Sequence, residues 1–258
     1  MTHSQTSERP TGYEPLGVLK PVAKGLWVID GPVEGAGLVL LPTRTVVVQL
    51  VCGGLWVQAP GILNGDLMGV LRALGPLRHL VAPNLTPLPH LPLWQAEFPD
   101  AKLWAPEGSP LTGATPLCAE APPDWATDME QILIDAGPRY REAVFHYKGA
   151  SALIAGDLIH AIETGKLPVW QRPFIWFRGV DDTDPAMPRK LRNACRDDAA
   201  LASAVERMVE LRPRRLLISH GRLYEAGGVA VLERSFRKLL RERQWTHALK
   251  DMDAKVRR

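Results

Sequence analysis

The sequence predicts an α/β fold in which two sheets lie sandwiched between helix layers, and three observations carry that expectation. Short apolar and β-branched runs cluster in two blocks, over residues 25–59 and 131–155. Segments of helical period flank each block. No linker or low-complexity break divides the chain, so a single αββα arrangement accounts for the order of elements.

In the first block, strands are expected at Gly25–Asp30, Gly37–Leu41, Arg44–Val51 and Leu55–Ala59. Pro42-Thr43 and Gly53-Gly54 read as tight turns, which favours antiparallel neighbours. Thr45 to Leu50 is almost wholly apolar, as befits a strand covered on both faces. Leu63, Leu67, Val70, Leu71 and Leu74 then share one helical face, and Gly75-Pro76 stops that helix. Leu77–Ala82 and Lys102–Ala105 read as strands, with a short amphipathic stretch around Trp94 between them. The second block holds Gln131–Asp135, Ala143–Tyr147 and Ala152–Ala155.

After Asp157 the pattern loosens through Trp170–Pro188, an insertion at about 165–190 that reads as a lid or a subunit contact. A helix from Asp197 to Leu211, capped by Asp197 or Asp198 and ended by Arg212-Pro213, precedes a buried strand at Arg215–Ser219. Val229, Leu232, Phe236, Leu239 and Leu240 mark a closing amphipathic helix. Residues 1–12 read as disordered and 13–258 as one domain.

Composition narrows the class. A hydrophobic fraction of 46% and a charged fraction of 23% over 258 residues are those of a globular chain with a full core. Cys52, Cys118 and Cys195 lie far apart, which suits a reducing compartment and argues against a disulfide framework or zinc ribbon. The polar N-terminus carries no secretory signal, and no apolar run approaches the ~20 residues of a spanning helix. A cytoplasmic chain with no membrane partner is the expectation. From Val231 to Arg258 there are nine Lys/Arg against four Asp/Glu; that net of +5 in a chain of +3 leaves −2 elsewhere. The basic end is a solvated helix face or a contact for an acidic partner, and it gives no clear sign of nucleic acid.

Three apolar strands end alike: Leu80-Val81-Ala82-Pro83 runs into Asn84, Leu153-Ile154-Ala155-Gly156 into Asp157, and Leu216-Leu217-Ile218-Ser219 into His220-Gly221. Strand ends of α/β folds converge on one rim, where rigid strands present polar groups to a cleft. Each residue also has a local reading, as an Asx-turn, a cap or a turn residue. Taken together they favour a shared site. His160 lies near the same rim as a proton-transfer candidate, whereas His79 and His146 sit in apolar strands and read as structural. The chain holds no GxSxG, HExxH or dinucleotide glycine pattern, and Thr164-Gly165-Lys166 lacks the rest of a P-loop.

The Gly156-Asp157-Leu158 element and the later Ser219-His220-Gly221 turn resemble the C-terminal half of the metallo-β-lactamase superfamily. Gly25-Leu26-Trp27-Val28-Ile29-Asp30, Gly53-Gly54-Leu55-Trp56-Val57, Ala82-Pro83-Asn84, Trp94, Pro99-Asp100-Ala101 and Glu142-Ala143-Val144-Phe145-His146 extend the likeness to an uncharacterised branch, over about Leu16 to Leu240. The resemblance implies a four-layer αββα sandwich with a metal-dependent hydrolase site at the strand rim. In active members a His-x-His-x-Asp-His loop, a Gly-His-x-Pro-Gly turn, a bridging Asp and a last His hold the metals, which activate water.

Here the first loop is Asn84-Leu85-Thr86-Pro87-Leu88-Pro89-His90, and the turn is Gly137-Pro138-Arg139-Tyr140-Arg141. Of the family's ligands, Asp157 and His220 transfer; His90 is a displaced ligand or a surface residue. One Zn, Fe or Mn ion held by Asp157, His220 and His90 is one outcome, and no ion is the other. In the latter, Arg139 or Arg141 fills the cationic space beside Asp157. Two functions follow: a hydrolase of a small ester, lactone, thioester or phosphoester, or an inactive scaffold for ligand binding or assembly. In either case Asn84, Arg139, Trp170 and Trp176 are candidates to line a small-molecule pocket, and Trp170, Phe174, Trp176 and Phe177 alternatively form a homodimer contact.

Overall fold

A computed structural model of the chain describes residues 11–34 and 41–245. Its first sheet carries seven strands in sequential order. β1 (Leu19–Ala23), β2 (Leu26–Glu34), β3 (Leu41–Gln49) and β4 (Leu55–Gln58) form an antiparallel meander. β5 (Leu77–Val81), β6 (Lys102–Pro106) and β7 (Thr115–Leu117) continue it in parallel. Parallel neighbours need crossovers, which α1 (Gly65–Leu74) and α2 (Leu91–Glu97) provide. Asn64 starts α1 by accepting the Leu67 N–H at 2.8 Å.

The second sheet has the order β11-β10-β9-β8. β8 (Met129–Asp135), β9 (Arg141–Tyr147) and β10 (Ala152–Ala155) are antiparallel, while β11 (Arg215–Ile218) lies parallel to β10. Between β10 and β11 run α3 (Arg172–Arg178), α4 (Arg189–Ala194) and α5 (Asp198–Glu210); α6 (Gly228–Ser235) follows β11. Asp197 is the α5 cap, accepting from the Ala200 N–H at 2.9 Å.

Strand alternation sorts the core into three seams. Val46, Val48 and Trp56 meet Met129, Ala143, Phe145 and Ile154 between the sheets. Val47, Leu55 and Val57 point the other way, onto Leu67 and Leu71 of α1 and Leu91 and Trp94 of α2. Val144, Leu153 and Leu216 cover the outer face of the second sheet, against Leu201, Val205 and Met208 of α5 and Leu232 of α6. The four-layer αββα sandwich expected from the sequence is the architecture observed.

Several local expectations change. Pro42-Thr43 is no turn: β3 runs through it. The proline is accommodated because Pro42 pairs with Val33 beside a register shift in β2, where the ladder does not need its missing N–H. Of the expected strand 37–41 only Leu41 lies among the described residues, as do only Thr11 and Gly12 of the expected disordered N-terminus. Thr11 is buried, and its N–H bonds to Glu14 at 2.6 Å. β1 and β7 carry too little apolar patterning to be read in advance. The basic terminal segment is described only to residue 245.

His79 is buried as expected, its Nδ1 accepting from Trp104 Nε1 at 3.2 Å and its ring edge-on to Trp125. Burial pushes its pKa down to about 4. His146 is also buried, but neither ring nitrogen has a hydrogen-bond partner among the described residues.

A neutral buried histidine favours unfolding as pH falls, because the unfolded chain takes up a proton that the folded one resists. Between pH 7 and 4, His79 therefore costs on the order of 2–3 kcal/mol. Denaturant midpoints measured across that range should fall more steeply for wild type than for His79→Gln, which keeps an acceptor for Trp104. Parallel slopes would contradict the assignment.

Candidate functional site

Asp157 and His220 meet through strand register. Ala155 of β10 pairs with Ile218 of β11, so the positions two residues further on lie side by side at the same sheet edge. Gly156 permits the close packing: a Cβ there would sit 3.0 Å from Pro83 and 3.1 Å from the Glu142 carboxylate. Gly221 has φ +108°, and a side chain on it would overlap the Ala161 carbonyl. That approach lets the segment after Asp157 fold across the His220 turn. The Ala161 N–H donates to the His220 carbonyl at 3.2 Å and brings His160 alongside.

His220 Nε2 lies 3.1 Å from Asp157 Oδ1, and its Nδ1 is 2.8 Å from the Pro42 carbonyl. A carbonyl only accepts, so Nδ1 carries a proton. Asp157 Oδ2 accepts the Thr86 hydroxyl at 2.8 Å. The His160 ring stands edge-on to His220, with centroids 4.7 Å apart. One donor atom from each of Asp157, His160 and His220 falls within 4.8 Å of the other two. His160 Nε2 is buried and has no hydrogen-bond partner among the described residues.

The electrostatics follow. Burial works against both members of the Asp157–His220 pair, but their mutual hydrogen bond and charge outweigh it. The carboxyl is held well below the usual carboxylate range and the imidazole is raised above its ordinary pKa. Burial, and after it the charge of His220, pushes His160 down to about 3. His160 is thus held as a neutral imidazole near neutral pH.

Two buried ionisable side chains fix the turns from behind. Glu142 Oε1 accepts the N–H groups of Gly156 (2.9 Å) and Leu158 (3.0 Å), on either side of Asp157, and Oε2 accepts the Tyr140 hydroxyl at 3.2 Å. Burial, followed by the Asp157 charge, raises the Glu142 pKa to about 8. Arg44 Nη1 donates to the carbonyls of Ile218 (3.1 Å) and Gly221 (2.8 Å), which bracket His220. Its Nε and Nη2 bind Asp30 at 2.9 and 2.8 Å, and Lys20 adds a third contact to Asp30 at 2.9 Å. Sequence reasoning passed over these groups. Their signal was a charge at the head of a strand-like run, Arg44 before Thr45-Val46-Val47 and Glu142 before Ala143-Val144-Phe145.

The other candidates are placed as follows. Asn84 is buried and forms the expected Asx-turn, accepting the Thr86 N–H at 2.9 Å and so aiming Thr86 at Asp157. His90 stands apart from the cluster at the start of α2, with Nε2 2.7 Å from Glu34 Oε1. Arg139 is exposed in the β8–β9 turn, and Arg141 pairs with Asp135 and Glu107; the cation beside Asp157 is His220. Trp170 and Trp176 are exposed beside Phe174 and Phe177 on the α3 segment.

No family model matches the chain, and no curated protein matches it by sequence. Solved structures do match by fold. A diflavin flavoprotein A 5 fragment from Nostoc aligns with TM-score 0.60 at 12% identity, covering 90% of this chain and 98% of that one. The metallo-β-lactamase from Pontibacter korlensis aligns at 0.56 and 10%, covering 84% and 98%. The mono-zinc form of the metallo-β-lactamase FIM-1 from Pseudomonas aeruginosa aligns at 0.53 and 14%, covering 84% and 94%. The chain has the metallo-β-lactamase fold.

Breaking a buried ion pair strands its partner, at roughly 3–5 kcal/mol. Arg44→Met removes the cation between Asp30 and the His220 turn, and equilibrium urea unfolding should register a loss of roughly 3 kcal/mol. A loss below about 1 kcal/mol, typical of an exposed pair, would mean that Arg44 does not anchor the turn.

Proposed function

We propose that this chain is a hydrolase that works with one divalent ion held by Asp157, His160 and His220. The reading rests on one observation, the convergence of three ligand-type atoms within 4.8 Å at a strand rim. Two imidazoles and a carboxylate suit Zn, Fe or Mn, and three protein ligands are the usual number for a catalytic site with an open position. His160 replaces His90 in the set inferred from sequence. The unpartnered Nε2 of His160 fits a ligand role, as does the Nδ1–H bond from His220 to Pro42, which turns Nε2 toward Asp157. The fold is compatible with this, since FIM-1 has a mono-zinc form.

When bound, the ion supplies Lewis acidity, acidifying a water and polarising a carbonyl or phosphoryl oxygen. The chain supplies position. Thr86 holds Asp157 Oδ2 so that Oδ1 faces the histidines, Glu142 fixes the turn that carries the carboxylate, and Arg44 fixes the turn that carries His220. His220 gives up its Nε2 proton as it becomes a ligand. The substrate class consistent with this chemistry is a small ester, lactone, thioester or phosphoester. A second reading, a non-catalytic scaffold, is favoured by the direct Asp157–His220 contact, which satisfies both groups without an ion.

Metal analysis of the purified full chain separates the two. Wild type should carry about one equivalent, while Asp157→Ala, His160→Ala and His220→Ala should each lose affinity by a factor of ten or more, on the order expected for lost ligands. Because His220 must deprotonate and its pKa is raised, affinity should climb with pH below that pKa, about tenfold per unit. A folded wild type that takes up no Zn, Mn or Fe on incubation removes the hydrolase reading and leaves the scaffold.

A further inference from the structure

Among the described residues, ten large hydrophobic side chains are exposed, and five of them lie within positions 169–177: Val169, Trp170, Phe174, Trp176 and Phe177. That concentration is not the scatter of single apolar residues normal on a surface. α3 inverts the usual amphipathic pattern. Ile175 is its buried anchor, packed with Ile162, Leu167 and Val180, while Trp176 and Phe177 stand 58% and 78% exposed. Trp and Phe side chains at a helix surface beside cations are the composition of a helix lying in a bilayer interface, where aromatic rings sit at headgroup depth.

Charge selects the occupant. The stretch 164–179 contains Lys166, Arg172 and Arg178 and no carboxylate, and of these Lys166 pairs with Glu163 at 3.0 Å. Neither Arg172 nor Arg178 has a carboxylate partner among the described residues. Arg189 adds a cation 5.8 Å from the Phe177 ring. The acidic residues that follow are engaged: Asp182 with Arg222, Asp184 with Arg237, and Asp181 with the Thr183 N–H. A second copy docked on this face by two-fold symmetry would set unpaired arginines against arginines. An anionic lipid surface instead offers apolar depth for the rings and phosphates for the guanidinium groups.

We infer that the α3 face docks the protein reversibly on an anionic membrane surface. This is surface attachment, since no helix among the described residues is long and apolar enough to cross a membrane. The inference stands independently of the proposed hydrolysis.

Sedimentation of the full chain with vesicles tests it. At low salt, wild type should pellet with phosphatidylcholine vesicles containing phosphatidylglycerol, weakly with phosphatidylcholine alone, and less as salt screens the arginines. Trp176→Ser/Phe177→Ser and Arg172→Gln/Arg178→Gln should each lower partitioning roughly tenfold or more, with thermal melting confirming that both variants remain folded. Failure of wild type to pellet with the anionic vesicles overturns the inference, as does equal pelleting by wild type and variants. A wild-type dimer that the Trp176/Phe177 variant dissolves also overturns it, by assigning the face to a subunit contact.

Discussion

Parallel pairing of β10 with β11 sets Asp157 beside His220, and the remaining features of the rim are arranged around that adjacency. In an αββα sandwich the strand ends set polar loop residues on rigid backbone. One residue of slip between β10 and β11 would separate the two groups. The slip is opposed by Leu153 and Leu216, which pack against the α5 and α6 layer, and by Ile154 and Leu217, which pack between the sheets. Core packing thereby fixes the chemistry.

Holding a carboxylate and an imidazole in contact inside a rim has an electrostatic cost, and two further buried ionisable side chains, Arg44 and Glu142, fix the turns that carry them. Arg44 is neutralised by Asp30 and spends its remaining donors on carbonyls either side of His220. Glu142 is held by hydrogen bonds from Gly156, Leu158 and Tyr140, while burial, followed by the Asp157 charge, raises its pKa against them to about 8. Both act on backbone rather than on the site side chains. They set where the turns lie and leave Asp157, His160 and His220 available to a ligand. Such pre-set geometry is what a metal or a transition state requires of a protein.

Much of the fold was legible in the sequence because it is local. The Gly75-Pro76 stop of α1, the Asp197 cap of α5 and the Gly53-Gly54 turn depend on neighbours in the chain. Asp157 and His220 were legible for the same reason, each following an apolar strand directly. The rest depends on contacts distant in sequence. Arg44 reaches carbonyls more than 170 residues away. His160 was legible as a residue near the rim, but it reaches Asp157 and His220 because Gly221 admits the Ala161 backbone. His90, the nearest histidine to the first loop, is drawn off to Glu34 by the start of α2. The aromatic cluster of α3 was legible but its helix was not, because its apolar side faces outward and no buried stripe marks the period.

Anomalous diffraction at the zinc edge, from crystals of the full chain grown with zinc, reads the proposed metal site of Asp157, His160 and His220 without recourse to activity. One ion held there gives a single strong peak about 2.0–2.2 Å from an Asp157 carboxylate oxygen and a ring nitrogen of each histidine, with the Asp157–His220 contact opened to admit it. A peak on His90 and Glu34 alone, or no peak at the rim with the 3.1 Å contact intact, would contradict it.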